Sequence, residues 1–224
     1  MRATQPTSSL PAGYGRAKAL RDKLPTPATE AVIADILLFH HAQGLTNGIH
    51  AFAEVLRTAG HRVTVPDLYD GATFRTIEEG VGHADEIGFD SIIAAGIAAG
   101  AELPTNIVYA GFSLGALPAH KLAQTRQGAL GALLYHHGDV PLTTFGESWP
   151  AGVDIQLHVN EFDEWCELEV VEEFAEQARS QAHADLFLYP GSHHLFTDSS
   201  LPDYESESAD LTMERTLHFL ANLG

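Results

Sequence analysis

Residues 111–115 read Gly-Phe-Ser-Leu-Gly, a G-x-S-x-G pattern. The chemistry it suggests is nucleophilic. On a sharp strand-to-helix turn the serine backbone is forced into an unfavourable conformation, and flanking glycines leave room for it. The Ser113 hydroxyl would then stand at the carboxyl edge of a sheet. The Leu114 amide and a helix N-terminus would face any negative charge forming beside it. A five-residue pattern recurs by chance in a chain with 20 glycines, so context decides. Here residues 106–110 read as a strand and 114–125 as a helix. Pro118 falls about one turn into that helix, where proline is tolerated only near the start.

A serine hydroxyl is a weak nucleophile. It needs a base, and the base needs a carboxylate to orient it. In folds built around this turn, the chain order is serine, acid, histidine. After Ser113, a strand ending at Val159 opens into Asn160-Glu161-Phe162-Asp163-Glu164, and a later strand opens into Tyr189-Pro190-Gly191-Ser192-His193-His194. Asp163 and His194 are the choices for acid and base. Position alone does not separate them from Glu161, Glu164 and His193.

Two other groups could carry chemistry. His-His occurs at 40–41, 136–137 and 193–194, each time at or just beyond a strand end. Neighbours on a strand point to opposite faces, so such a pair rarely ligates one ion. No H-E-x-x-H or H-x-H spacing accompanies them, and no metal is expected. They are read as pocket lining or loop hydrogen-bonders, with His41 the one expected to shape the pocket. Cys166 is the only cysteine; its acidic neighbours would raise its pKa, so it reads as an inert, packed thiol. Trp149 and Trp165 fall in loops near the same edge, as candidates either for the pocket or for ordinary packing.

The elements that must position these residues alternate. Strands are expected at 32–39, 61–65, 106–110, 129–135, 153–159 and 184–189. Helical stretches fall between them at 49–60, 74–88, 91–101, 114–125 and 167–182, with a last one at 211–223. Short apolar strands alternating with helices argue for a mostly parallel sheet covered on both faces. Residues 1–29, rich in Pro, Thr, Ser and basic side chains, read as an extension ahead of a single domain spanning 30–224.

Composition narrows the partners. The chain has 224 residues, room for one large α/β domain. Thirty acidic against twelve basic residues leave a formal net charge of −18. Such a surface repels phosphate backbones and anionic headgroups, so neither nucleic acid nor a membrane surface is an expected partner. One cysteine, no long apolar segment and no signal-like N-terminus suit the cytoplasm.

Four segments together resemble the dienelactone hydrolase family: L-L-F-H-H-A-Q-G-L-T at 37–46, V-P-D-L-Y-D-G at 65–71, G-F-S-L-G-A at 111–116, and Y-P-G-S-H-H-L-F at 189–196. The resemblance runs from about Ala31 to the end. It implies an α/β-hydrolase fold, with Asp163 and His194 as acid and base. It also implies an oxyanion hole from the amides of Leu114 and Ala42. A substrate pocket is expected near His41, Gln43, Trp165 and Phe196. Two departures stand out. The best-known members use a cysteine nucleophile where this chain has Ser113. Members acting on dienelactone also carry an arginine, four residues after the histidine, to hold the substrate carboxylate; this chain has Asp198 there.

The resulting expectation is a cofactor-free hydrolase of a small-molecule ester or lactone, working through an acyl-enzyme on Ser113. A homodimer is left open. The rival readings are a non-catalytic binding protein on the same fold and a metal-dependent hydrolase using the histidine pairs.

Overall fold

The computed structural model describes residues 33–137 and 139–223. The extension expected at 1–29 lies outside them. Six strands form one sheet: β1 Asp35–Phe39, β2 Arg62–Thr64, β3 Val108–Phe112, β4 Gly131–Tyr135, β5 Asp154–Asn160 and β6 Ala184–Tyr189. The spatial order is β2-β1-β3-β4-β5-β6, and every pair is parallel. The helices are α1 Asn47–Thr58, α2 Ile77–Ile87, α3 Phe89–Gly100, α4 Ala116–Thr125, α5 Leu168–Arg179 and α6 Ser206–Ala221. This is the α/β-hydrolase architecture.

The strands are apolar on both faces because both are covered. Alternate residues sort cleanly. Ile36 and Leu38 of β1, with Val108, Ala110 and Phe112 of β3, face Phe52 and Leu56 of α1 and Met213, Leu217 and Leu220 of α6. Leu37, Phe39, Tyr109, Leu134 and Leu157 face the other way. They pack with Ala119 and Leu122 of α4 and with Val171, Phe174 and Ala178 of α5. Trp149 belongs to this second core: it is fully buried and its indole N–H donates to the Val153 carbonyl at 2.6 Å. Packing, not the pocket, accounts for it.

The strand order reverses at β1. The chain leaves β1 outward to β2, then returns to place β3 on β1's other side. Crevices at such a switch point, beyond the carboxyl ends of the strands, are where open α/β sheets bind ligands. The loop after β1 holds Ala42; the turn after β3 holds Ser113.

Three boundaries differ from the sequence expectation in an informative way. β3 runs two residues later than expected, pairing Gly111 and Phe112 with Leu134 and Tyr135, so the strand feeds directly into the serine turn. A single 3₁₀ turn, Ser113–Gly115, then precedes α4. Pro118 is therefore the third residue of α4, in the first turn, where its missing N–H has no intrahelical partner to lose. α6 starts five residues earlier than expected, because its first turn is polar and carries no apolar period.

Candidate active site

Ser113 sits at φ +50°, a left-handed conformation uncommon for a residue with a side chain. The glycines around it answer a steric demand. A Cβ at Gly111 would lie 2.1 Å from the Gly115 carbonyl oxygen, and one at Gly115 would lie 2.3 Å from that of His40. The turn is thus drawn tight against itself and against the end of β1.

The Ser113 hydroxyl lies 2.8 Å from His194 Nε2, and His194 Nδ1 lies 2.7 Å from Asp163 Oδ2. The three residues come from the loops after β3, β6 and β5. Asp163 and His194 are buried. Asp163 is held by the Trp165 amide, which donates to its other oxygen at 2.9 Å. With Nδ1–H donating to the carboxylate, Nε2 is the ring's free acceptor, and it faces the serine hydroxyl. This arrangement can take a proton from Ser113 and stabilise the imidazolium that results.

The competing candidates are elsewhere. Glu161 and Glu164 are exposed. His193 is half-exposed, and its Nδ1 lies 3.0 Å from Glu205.

Each histidine pair splits between two jobs. His40 Nε2 accepts from the Leu68 amide at 2.9 Å, so its Nδ1–H donates to the His41 carbonyl at 2.8 Å. Burial lowers its pKa to about 4, which keeps it neutral. His136 bonds Thr197 through Nε2 at 2.9 Å and takes a φ of +55°. Burial first, then the neighbouring His194, pushes its pKa well down. His137 stacks edge-on to Phe174. Among the described residues, the metal-compatible trio is Asp163, Cys166 and His194, with ligand atoms within 4.8 Å of one another. Two of its members already belong to the Ser113 chain. The Cys166 thiol, 3.8 Å from His194 Nδ1, is pushed well above its usual pKa by burial and by Asp163.

Ser113 and His194 open into a cavity of about 340 Å³. Ala42, Leu114 and Trp165 share its wall with Ile77 and Val81 of α2, Phe89 of α3, Leu117, His136, His137, Asp139 and Val140. Of the expected pocket residues, Trp165 is in place. His41, Gln43 and Phe196 are not on this wall: all three are buried. His41 turns to Asp198, 2.8 Å away; the Gln43 side chain donates to the Phe74 carbonyl at 3.2 Å; Phe196 packs edge-on against His136. Each satisfies a loop or core neighbour instead of facing the cavity. The apolar wall from α2, α3 and Val140 was not foreseen, because no local pattern says which loop covers a distant serine.

A parallel sheet covered by helices, with a serine on a strained strand-to-helix turn hydrogen-bonded to a histidine that in turn bonds an aspartate, has the form of the α/β-hydrolase fold. The chain belongs to the dienelactone hydrolase family, whose profile matches residues 23–224. Among solved structures it is similar to a dienelactone hydrolase-like promiscuous phosphotriesterase from metagenomic libraries (16% identity, TM-score 0.70, covering 87% of this chain and 88% of that one). It is also similar to an esterase of Thermogutta terrifontis with propionate bound (15% identity, TM-score 0.64, covering 88% and 86%). No curated protein matches the sequence. Among the described residues, no helix is long and apolar enough to cross a membrane.

Proposed function

We propose that this protein hydrolyses uncharged carboxylic esters or lactones through an acyl-enzyme on Ser113. The observation that carries this is the unbroken chain of hydrogen bonds from the Ser113 hydroxyl through His194 to Asp163, at 2.8 and 2.7 Å, ending in the cavity. His194 Nε2 takes the hydroxyl proton as Ser113 Oγ attacks the carbonyl carbon. The carbonyl π electrons move to oxygen, and the oxyanion is held by the amides of Leu114 and Ala42, both on the cavity wall. When the tetrahedral adduct collapses, the alkoxide leaves with the proton from His194. A water then gives a proton to the same nitrogen as its oxygen attacks the acyl carbon; when this second adduct collapses, the bond to Ser113 Oγ breaks, His194 returns the proton to Oγ and the acid leaves. Asp163 keeps the imidazole in the required tautomer throughout. No step calls for a metal or cofactor.

That structural neighbours include an esterase, one form of it phosphorylated by paraoxon, supports the reading without specifying a substrate. The test is a panel of acyl esters and lactones, run beside Ser113→Ala and a fluorophosphonate label. Ester or lactone turnover that Ser113→Ala abolishes, with label on Ser113, is the expected result. A folded protein that neither labels nor hydrolyses would favour the non-catalytic reading. Activity that survives Ser113→Ala but not a chelator would favour a metal-dependent one.

A further inference from the structure

Asp198 stands where the family's substrate-binding arginine would be, yet the residue is buried and is not part of the cavity wall. Four donors converge on it. His41 Nε2–H donates to Oδ2 at 2.8 Å, and the Thr46 hydroxyl donates to the same oxygen. The Ser200 amide and hydroxyl donate to Oδ1 at 2.8 and 2.6 Å. A carboxylate has about four lone-pair sites, and all are used.

The protonation pattern follows from the neighbours. His41 Nδ1 accepts the Gln43 amide hydrogen at 3.2 Å, so the ring's proton is on Nε2, aimed at Asp198. Ser200 and Thr46 relay the contact to α1: Ser200 Oγ accepts from the Gly48 amide at 3.1 Å, and Thr46 caps the helix by accepting from Ile49. Gly48 leaves room for the carboxylate: a Cβ there would lie 1.7 Å from Asp198 Oδ1 and would displace it from these bonds. Burial alone would raise the Asp198 pKa; the bonds from His41, Ser200 and Thr46 outweigh it and hold it below the usual value.

Ala42 follows His41 directly. The segment is clamped from the far side as well: a Cβ at Gly80 would sit 2.0 Å from the Ala42 carbonyl oxygen, the Phe74 amide donates to the Gln43 carbonyl at 3.0 Å, and the Gln43 side-chain amide donates back to the Phe74 carbonyl at 3.2 Å. We infer that Asp198 and His41 form a positioning pair that fixes the loop after β1 so that the Ala42 amide points at the developing oxyanion. The pair ties this loop to the segment that follows His194. This inference rests on the catalytic reading above. It assigns to Asp198 a role opposite in kind to that of the arginine it replaces: it orients the enzyme, not the substrate.

The experiment compares Asp198→Asn, His41→Leu and His41→Gln with the unaltered protein, using p-nitrophenyl butyrate and a boronic acid that forms a tetrahedral adduct on serine. Circular dichroism checks that each variant is folded at the assay temperature. A misplaced oxyanion donor should lower kcat by roughly 10- to 100-fold, leave KM within about threefold, and weaken the boronic acid in the same proportion as kcat/KM. His41→Gln keeps a donor for Asp198 and should recover much of what His41→Leu loses, which also keeps the test alive if Asp198→Asn does not fold. Unchanged kcat and boronic acid affinity in folded variants would overturn the pair's role, as would losses that follow only the fall in melting temperature. If Ser113→Ala is inactive while Asp198→Asn and His41→Leu are normal, the pair alone fails. If Ser113→Ala stays active, the catalytic reading fails and the inference with it.

Discussion

Gly115 meets His40 backbone to backbone: a methyl group on Gly115 would stand 2.3 Å from the His40 carbonyl oxygen and 2.7 Å from that of Phe39. The serine turn and the loop carrying Ala42 are thereby held at a fixed separation. Neither obstructing atom belongs to a side chain that could swing aside. Gly115→Ala should therefore cost about 1–3 kcal/mol of stability and, by pushing the two loops apart, lower kcat/KM by tenfold or more. Gly82 in α2 is the control, because a Cβ there meets nothing within 4 Å. Gly82→Ala should stabilise by roughly 0.5–1 kcal/mol. Thermal melts and ester kinetics on both variants check this, and a Gly115→Ala enzyme with normal kinetics and stability would refute it.

Asp163→Asn should abolish most activity while leaving the fold intact. Asp163 accepts from the Trp165 amide through one oxygen and from His194 Nδ1–H through the other. Asparagine has one acceptor oxygen. If the Trp165 amide keeps it, the asparagine NH₂ faces His194 Nδ1, which must then accept. The ring proton moves to Nε2, and the base can no longer take the Ser113 proton. A loss in kcat of roughly 10⁴-fold is expected, with a parallel loss in fluorophosphonate labelling rate and little change in melting temperature. Retained labelling would show that the tautomer is set by something other than Asp163.

That Ser113, Asp163 and His194 would be brought together was legible in the sequence because each lies in the turn or loop that follows a strand, and the strands announce themselves as apolar runs. Ser113, Asp163 and His194 needed only chain order and one resemblance. What was not legible depends on contacts between distant segments. That His194 and not His193 faces the serine follows from how the loop after β6 turns, with Asn160 donating to the His193 carbonyl at 2.8 Å. His41 looked like a pocket residue because it is polar and adjacent to the site. It is instead spoken for by Asp198, 157 residues away in sequence. The apolar wall from Ile77, Val81 and Phe89 lies on helices whose own periodicity reports only that they are amphipathic.

Stability should fall steeply below neutral pH. Burial lowers the pKa of His40 and His137 to about 4 and that of His158 to about 3, each from 6.5. All three are buried and neutral in the folded state. Below pH 6.5 the unfolded chain binds protons at these rings and the folded chain does not. Stability is therefore full above pH 6.5 and is lost as the pH drops toward 4, at up to about 1.4 kcal/mol per pH unit for each ring. The melting temperature should drop by on the order of 10 °C between pH 7 and pH 4.5. His158→Gln should flatten that slope if it folds. A melting temperature that is constant over the range would refute the assignment of these rings as buried and neutral.

The cavity should discriminate against anionic acyl groups. Among the described residues on its wall there is no Lys or Arg; the one charged side chain is Asp139, and it is exposed. Asp198, at the position where relatives hold a substrate carboxylate, is bonded to His41 and offers nothing to the substrate. The chain as a whole carries a formal charge of −18, so an approaching anion is repelled at long range as well as left without a partner on arrival. Moving an unpaired carboxylate against Ile77, Val81 and Phe89 costs several kcal/mol of desolvation. p-Nitrophenyl butyrate should thus exceed mono-p-nitrophenyl succinate in kcat/KM by about 100-fold or more at low ionic strength. The gap should narrow with added salt, because only the long-range part is screened, and a residual preference for the uncharged ester should persist at 1 M salt, where the Debye length is about 3 Å. Equal kcat/KM for the two esters at low salt would mean that a cation reaches the bound acyl group, and the uncharged-substrate assignment would have to be abandoned.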